Sequence, residues 1–175
     1  MTNIVKATLD EIDCVMTLVS DAVQNMEDNG IHQWDTIYPD RTVFEEDMTS
    51  SALYCVKCDN EIVGIITLNE EQPQEYTGIR WRDNGNPLVV HRLCIHPGFQ
   101  RKGLAQILMR FAEKFALEHG YSSIRLDTFT GNPKALGLYT SLQYQQKGTV
   151  KFRKGDFYCF EKVFRDMDCM GYTKG

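Results

Sequence analysis

The segment Leu93-Cys-Ile-His-Pro-Gly-Phe-Gln-Arg-Lys-Gly-Leu-Ala-Gln106 reads as a strand that runs through a turn into a helix, with Gly103 in the helix's first turn. A helix N-terminus offers unpaired N–H groups and partial positive charge, and a glycine there lets the main chain approach a phosphate closely. Arg101 and Lys102 stand at this same end, where cations oppose the helix dipole, so their placement makes sense with an anion nearby. The chemistry suggested is the cradling of a pyrophosphate. The same run also reads as a tight turn in which Gly98 and Gly103 serve the backbone and both cations are solvated. It has neither the G-x-x-x-x-G-K-[ST] of a phosphate-hydrolysing loop nor the dinucleotide G-x-G-x-x-G, so nucleotide hydrolysis and hydride transfer lose ground.

These residues need elements to hold them. Asn3 to Thr8 alternates as a first strand, and Asp10 to Met26 carries a helical stripe at Ile12, Val15, Met16, Val19, Val23 and Met26 that Asn29-Gly30 stops. The loop His32 to Tyr38 leads to a shorter helix over Arg41–Ser51. Ala52–Cys58 and Glu61–Leu68 then pair as a hairpin through Asp59-Asn60. Residues 69–87 lack a period and read as a long loop. Leu88–Ile95 is an apolar strand, and Leu104, Ile107, Leu108, Phe111 and Phe115 mark a helix that ends at His119-Gly120. Ser123–Thr128 is a further strand. Asn132-Pro133 opens a helix through Leu142, with asparagine as N-cap, and Phe157–Phe164 is the final strand. A hairpin early and βαβ units late give a mixed-sheet α/β or α+β sandwich. One domain is expected over residues 1–164, followed by a C-terminal tail at 165–175.

Composition narrows the partners. Nineteen Lys and Arg against 24 Asp and Glu leave a net charge of -5, which argues against a polyanion binder and sets nucleic acid aside. No stretch nears the roughly 18 apolar residues of a membrane span, and Asp10, Glu11 and Asp13 break any leader-like run, so a cytoplasmic protein with no membrane partner is expected. The six cysteines are irregularly spaced and read as free thiols. Cys55 and Cys58 form a C-x-x-C, but an odd separation on a strand sends them to opposite faces, which disfavours a metal or redox site.

Gln100-Arg-Lys-Gly103-Leu-Ala105 after an apolar strand resembles the [Q/R]-x-x-G-x-[G/A] signature of the GCN5-related N-acetyltransferases. Asn132-Pro-Lys-Ala-Leu-Gly-Leu-Tyr139 is similar to that family's later N-x-x-A-x-x-x-Y segment, and the two motifs follow in the family's order, one helix and one strand apart. The resemblance covers residues 88–147 well. It implies a mixed, mostly antiparallel sheet flanked by helices, with a parallel strand pair splayed at the site. It also implies acetyl transfer from acetyl-CoA to an amine, without a metal.

Carried over residue by residue, Leu93, Cys94 and Ile95 would bond the pantetheine arm through their main chain. Arg101, Lys102, Gly103, Leu104, Ala105 and Gln106 would cradle the pyrophosphate, and Asn132 would contact the cofactor arm. Tyr139 would be the general acid for the leaving thiolate; its alternative is a core tyrosine. Asp127 occupies a position where some members of the family carry a glutamate base, with Glu70 and Glu71 as rival carboxylates. By alternation His91 shares a face with Leu93 and Ile95 and could line the site, or it is structural. Trp34 and Tyr38 in the early loop, with Tyr76, Trp81 and Arg82 in the 69–87 loop, would meet the acceptor, or the aromatics close the core. The acceptor would be a small-molecule or peptide amine. A noncatalytic acyl-CoA-binding module is the alternative function, and a homodimer using β edges near 143–164 is a further expectation of the resemblance.

Overall fold

The computed structural model describes residues 3–164. The expected tail at 165–175, with Cys169, lies outside the described residues. The elements run β1 (Asn3–Lys6), α1 (Ile12–Asp28), α2 (Arg41–Thr49), β2 (Leu53–Cys58), β3 (Glu61–Asn69), β4 (Pro87–Ile95), α3 (Leu104–Glu118), β5 (Ser123–Phe129), α4 (Pro133–Ser141), β6 (Gln145–Phe152) and β7 (Gly155–Val163). One sheet holds all seven strands in the order β1-β2-β3-β4-β5-β7-β6. Every neighbouring pair is antiparallel except β4 and β5.

Helices cover both faces. On one, Leu104, Leu108, Met109, Ala112 and Ala116 of α3 pack with Tyr139 and Leu142 against Val63, Leu88, Ile124 and Leu126. Each fully buried Leu or Ile there contributes about 1.5–3 kcal/mol over its exposed state. On the other face, Val15, Leu18, Val19 and Ala22 of α1 and Phe44 of α2 cover Leu53, Cys55, Ile65 and Cys94. Beside them the 69–87 segment, which includes a 3-10 turn at Gln74–Gly78, closes a smaller core of Tyr76, Val89, Val150, Phe157 and Cys159. Cys55 packs in the α1-side core and Cys58 against the α3-side core, so the C-x-x-C does divide between faces. Cys14, Cys55, Cys58, Cys94 and Cys159 are free thiols. No helix among the described residues is long and apolar enough to cross a membrane.

Two features differ from the sequence reading. Strand β6 is absent from it, because Gln145-Gln-Lys-Gly-Thr-Val-Lys-Phe152 is an edge strand in which Val150 alone is buried, and so it carries no apolar alternation. A bulge also interrupts β4. Ile65 pairs with Cys94 but Thr67 with His91, so Ile66 faces two residues, and Arg92 takes φ +51. Directly paired residues share a face, and Thr67 donates to Asp47 of α2, so His91 lies on the α2 side. Leu93 and Ile95 pack on the α3 side. The expected common face of His91, Leu93 and Ile95 is therefore corrected: the extra residue reverses the alternation.

Candidate active site

The parallel pairing of β4 and β5 ends at Val89 opposite Arg125, although β4 runs on to Ile95 and β5 to Phe129. Past that point the strands part. His96 N–H donates to Val63 O at 2.9 Å, so by alternation Cys94 faces β3, while Leu93 and Ile95 turn their N–H and C=O groups toward the open side. Gln100 Nε2 reaches Ile95 O there at 3.4 Å.

The opening leads into a groove of about 650 Å³ between α3 and α4. Its walls are Leu93–Ile95, the loop and first turn of α3, Thr128, the α4 face with Asn132, Leu138 and Tyr139, and the end of α1 with Gln33 and Trp34 beyond it. At one end, Gly103 is the N-cap of α3 in the left-handed region at φ +78, and no side chain caps the helix. Arg101 is also left-handed at φ +61. Among the described residues no protein acceptor serves the main-chain N–H groups of Arg101–Gln106. Consecutive outward N–H groups at a helix start form an anion site. Arg101, Gly103, Leu104, Ala105 and Gln106 all line the groove. Lys102 does not: its ammonium sits 4.7 Å over the Phe99 ring.

At the other end, Tyr139 is 6% exposed, and burial followed by the charge of Asp127 holds its phenol protonated well above the usual range. A phenol so held is a proton donor and not a base. Thr128 Oγ1 is buried without a hydrogen-bond partner among the described residues, facing this groove. A buried hydroxyl without a partner is costly unless something satisfies it. Thr128 was missed in the sequence, where it reads as one more buried position of an apolar strand. Asn132 caps α4 by accepting from Ala135 N–H at 3.2 Å, and its Nδ2 donates to Gln33 Oε1 at 2.8 Å. Asn132 thus caps the helix and lines the groove, and Gln33 is a second lining residue the motifs did not mark. Trp34 is buried in the α1-side core and lines the groove.

Asp127 projects from the opposite face of the sheet. It stands one step from Thr128 and two from Arg125, whose guanidinium covers Trp81. Its Oδ2 accepts from Tyr76 Oη at 2.6 Å. Burial raises its carboxyl to about 6, against the hydrogen bond from Tyr76 and with help from Glu75. Three residues expected to meet the acceptor do not line the groove. Glu70 is exposed beside the start of β4, bonded by Tyr121 Oη at 2.9 Å, because β3 is antiparallel to β4 and ends where β4 begins. His91 Nε2 pairs with Asn69 Oδ1 at 2.8 Å, and burial and the charge of Arg92 push it down to about 4. Tyr38 is 41% exposed and accepts from Arg92 at 2.9 Å.

Known proteins are similar to this chain in sequence and in fold. Streptothricin acetyltransferase of Escherichia coli is 32% identical over 102 residues, 58% of this chain and 52% of the relative, so the chain spans about half the length of that relative. A solved GNAT-family acetyltransferase from Streptococcus agalactiae superposes with a TM-score of 0.82 at 25% identity, covering 93% of this chain and 95% of the other. PaiA N-acetyltransferase from Thermoplasma acidophilum, solved in complex with coenzyme A, shares the fold with a TM-score of 0.74 at 15% identity, covering 94% and 99%. The family model described as Acetyltransferase (GNAT) family matches residues 19–144, from the middle of α1 to the end of α4 and just beyond, which takes in the open strand pair and the bare start of α3. The chain belongs to the acetyltransferase (GNAT) family.

Proposed function

We propose that this chain is an acetyl-CoA-dependent N-acetyltransferase acting on a primary amine of a small molecule or peptide. The observation that carries the reading is one groove in which an unserved run of N–H groups at Arg101–Gln106, the open edge of β4, the unpartnered Thr128 hydroxyl and the buried Tyr139 phenol are continuous. These residues fit the cofactor. Arg101–Gln106 would hold its pyrophosphate, and the main chain of Leu93 and Ile95 its arm, with Asn132 and Thr128 completing the wall; the expected main-chain contact from Cys94 is dropped, because its N–H and C=O groups face β3. When bound, acetyl-CoA supplies the acetyl group as a thioester.

The chain's own groups do the rest. The outward N–H donors of β4 are fixed before reaction, so they can stabilise charge that grows on a carbonyl oxygen without reorganising. Tyr139 holds the proton that a departing thiolate requires. An amine reaches the enzyme protonated and has no free lone pair, so Asp127, beyond the last β4–β5 pair, takes that proton from the α2-side face. Streptothricin acetyltransferase is named for streptothricin, which makes small-molecule amines the first acceptors to test. A cytoplasmic location suits the free thiols, and a homodimer would use the exposed edge of β6.

The test is thermal unfolding with acetyl-CoA, then thiol release against polyamines, amino acids and a peptide. Cofactor at about 100 times its Kd adds roughly 2.7 kcal/mol of stability. Tyr139→Phe should keep that shift and lower turnover by about 100-fold or more. A shift with no release from any amine would favour the binding module. No shift at saturation would sink the enzyme reading.

A further inference from the structure

The 69–87 segment is built into the sheet and does not wait at the acceptor entrance. Tyr76 is 3% exposed, and Trp81 packs against it with ring centroids 5.0 Å apart while donating Nε1–H to Tyr76 O at 3.0 Å. Arg125 of β5 covers Trp81 at 4.4 Å, donates to Gln72 Oε1 at 2.8 Å and donates to Asp83 O at 2.5 Å. Glu161 of β7 accepts from the main-chain N–H groups of Arg82 at 2.8 Å and Asp83 at 3.2 Å. The segment is thus pinned on both sides of Tyr76, at Gln72 and at Trp81–Asp83. Among the described residues, the Tyr76 phenol has one hydrogen-bond partner, the carboxylate of Asp127.

We propose that Tyr76 is the positioning residue of the proton acceptor: its hydroxyl fixes Oδ2 of Asp127, which leaves Oδ1 aimed at the incoming ammonium. This rests on the role given to Asp127 above. The geometry also sets the charge. Asp127 faces Tyr76 and Glu75 from the 69–87 segment and Cys159 from β7, with Arg125 two residues back on its own strand and His91 across the splay; the charge of Asp127 also reaches Tyr139 of α4 from the other side of the sheet. Burial and Glu75 favour the neutral acid, and the hydrogen bond from Tyr76 opposes them. Tyr76 cannot ionise in its place, because burial and Asp127 hold its own phenol protonated. In transfer, one N–H bond of the ammonium breaks, its electron pair stays on nitrogen, and the proton bonds to Oδ1; it is later lost to solvent.

The experiment titrates Asp127 by carbon-13 NMR in the free full-length protein, with Asp127→Asn identifying the resonance, and compares Tyr76→Phe. Phenylalanine keeps the ring against Trp81, and thermal unfolding checks that the variant is folded. The wild-type carboxyl should titrate near pH 6. In Tyr76→Phe it should move up by about 1–2 pH units, the worth of one hydrogen bond to a charged group. With acetyl-CoA and a primary alkylamine acceptor from the panel, the acid limb of kcat/KM should move up with it and activity should return at higher pH. A carboxyl whose titration is unchanged in Tyr76→Phe overturns the proposal. A titration that moves while the acid limb stays removes Asp127 from proton transfer and ends the positioning role, and the binding and Tyr139→Phe tests of the broader reading stand apart from that result.

Discussion

Arg153, in the turn between β6 and β7, reaches both carboxylate oxygens of Asp35 at 2.8 and 2.9 Å across 118 residues of sequence. Asp35 also accepts from the N–H groups of Ile37 and Tyr38, and these donors with Arg153 hold its carboxyl well below the usual range despite desolvation. Gln33 is tied to Asn132, and Tyr38 to Arg92. The stretch 33–38 is therefore a strap fastened to α4, to the β6–β7 turn and to β4, over the end of the groove where Trp34 sits.

Loosening one fastening should free the strap without unfolding the chain. Arg153→Ala is expected to speed amide exchange of Ile37 and Tyr38 by about 10-fold or more while Tm stays nearly constant, since exposed ion pairs add little to global stability. Hydrogen exchange with mass spectrometry reads both. Unchanged exchange would mean that Lys154, 3.3 Å from Asp35, holds the strap with Gln33 and Tyr38.

Gly103 at the start of α3 lies in the left-handed region favoured by glycine, at φ +78 with open space where a Cβ would stand. A side chain meets no clash there, so the cost is backbone strain alone. Gly103→Ala should lower stability by about 1–2 kcal/mol in urea unfolding, and it should weaken acetyl-CoA binding, because relief of the strain turns the N–H groups of 101–106 away. Gly103→Asn should recover part of both, as asparagine tolerates the left-handed region better. Equal losses in the two variants would contradict this account.

Much of this was legible in the residues. Apolar stripes located α1 and α3, and the cap Asn132 fixed the start of α4, because period and capping are local properties. The bare start of α3 was legible for the same reason: Gln100–Gln106 is one continuous segment of chain. What escaped depends on pairing between distant segments. The bulge that sends His91 to the α2 side is set by register against β3, and nothing in Val90-His91-Arg92-Leu93 announces it. The position of Glu70 beside Tyr121 follows from strand direction, and Gln33 reaches the groove through a partner 99 residues away.

The 69–87 segment owes its order to a buried pair. Arg125 and Glu161 have side chains 9% and 1% exposed, with Nε and Oε1 3.5 Å apart, and Glu161 also holds Arg82 and Asp83 by their main chain. Removing one member leaves the other's charge buried and uncompensated, which costs about 3–5 kcal/mol. Glu161→Ala should lose that much in urea unfolding and should free Trp81, seen as a change in tryptophan fluorescence. A loss below about 1 kcal/mol would show that water replaces the carboxylate.

His91 and Asp127 stand two residues beyond the last β4–β5 pair, one on each strand, and they tilt the pH dependence of stability in opposite directions. Burial and the charge of Arg92 hold His91 at about 4 against an ordinary 6.5, so the fold binds fewer protons than the unfolded chain between those values. Its contribution is whole above pH 6.5 and falls by about 3 kcal/mol as acid reaches pH 4. Burial holds Asp127 at about 6 against an ordinary 3.8, so the fold binds more protons in that window, and stability falls by a similar amount as pH rises through it. Between pH 4 and 6 the two slopes cancel in the wild type. Single replacements should expose them: relative to wild type, His91→Gln gains stability as the solution is acidified from pH 6.5, and Asp127→Asn gains it as pH rises from 4 to 7. Urea unfolding at several pH values measures both, and curves parallel to wild type would show that water already reaches these groups in the folded protein.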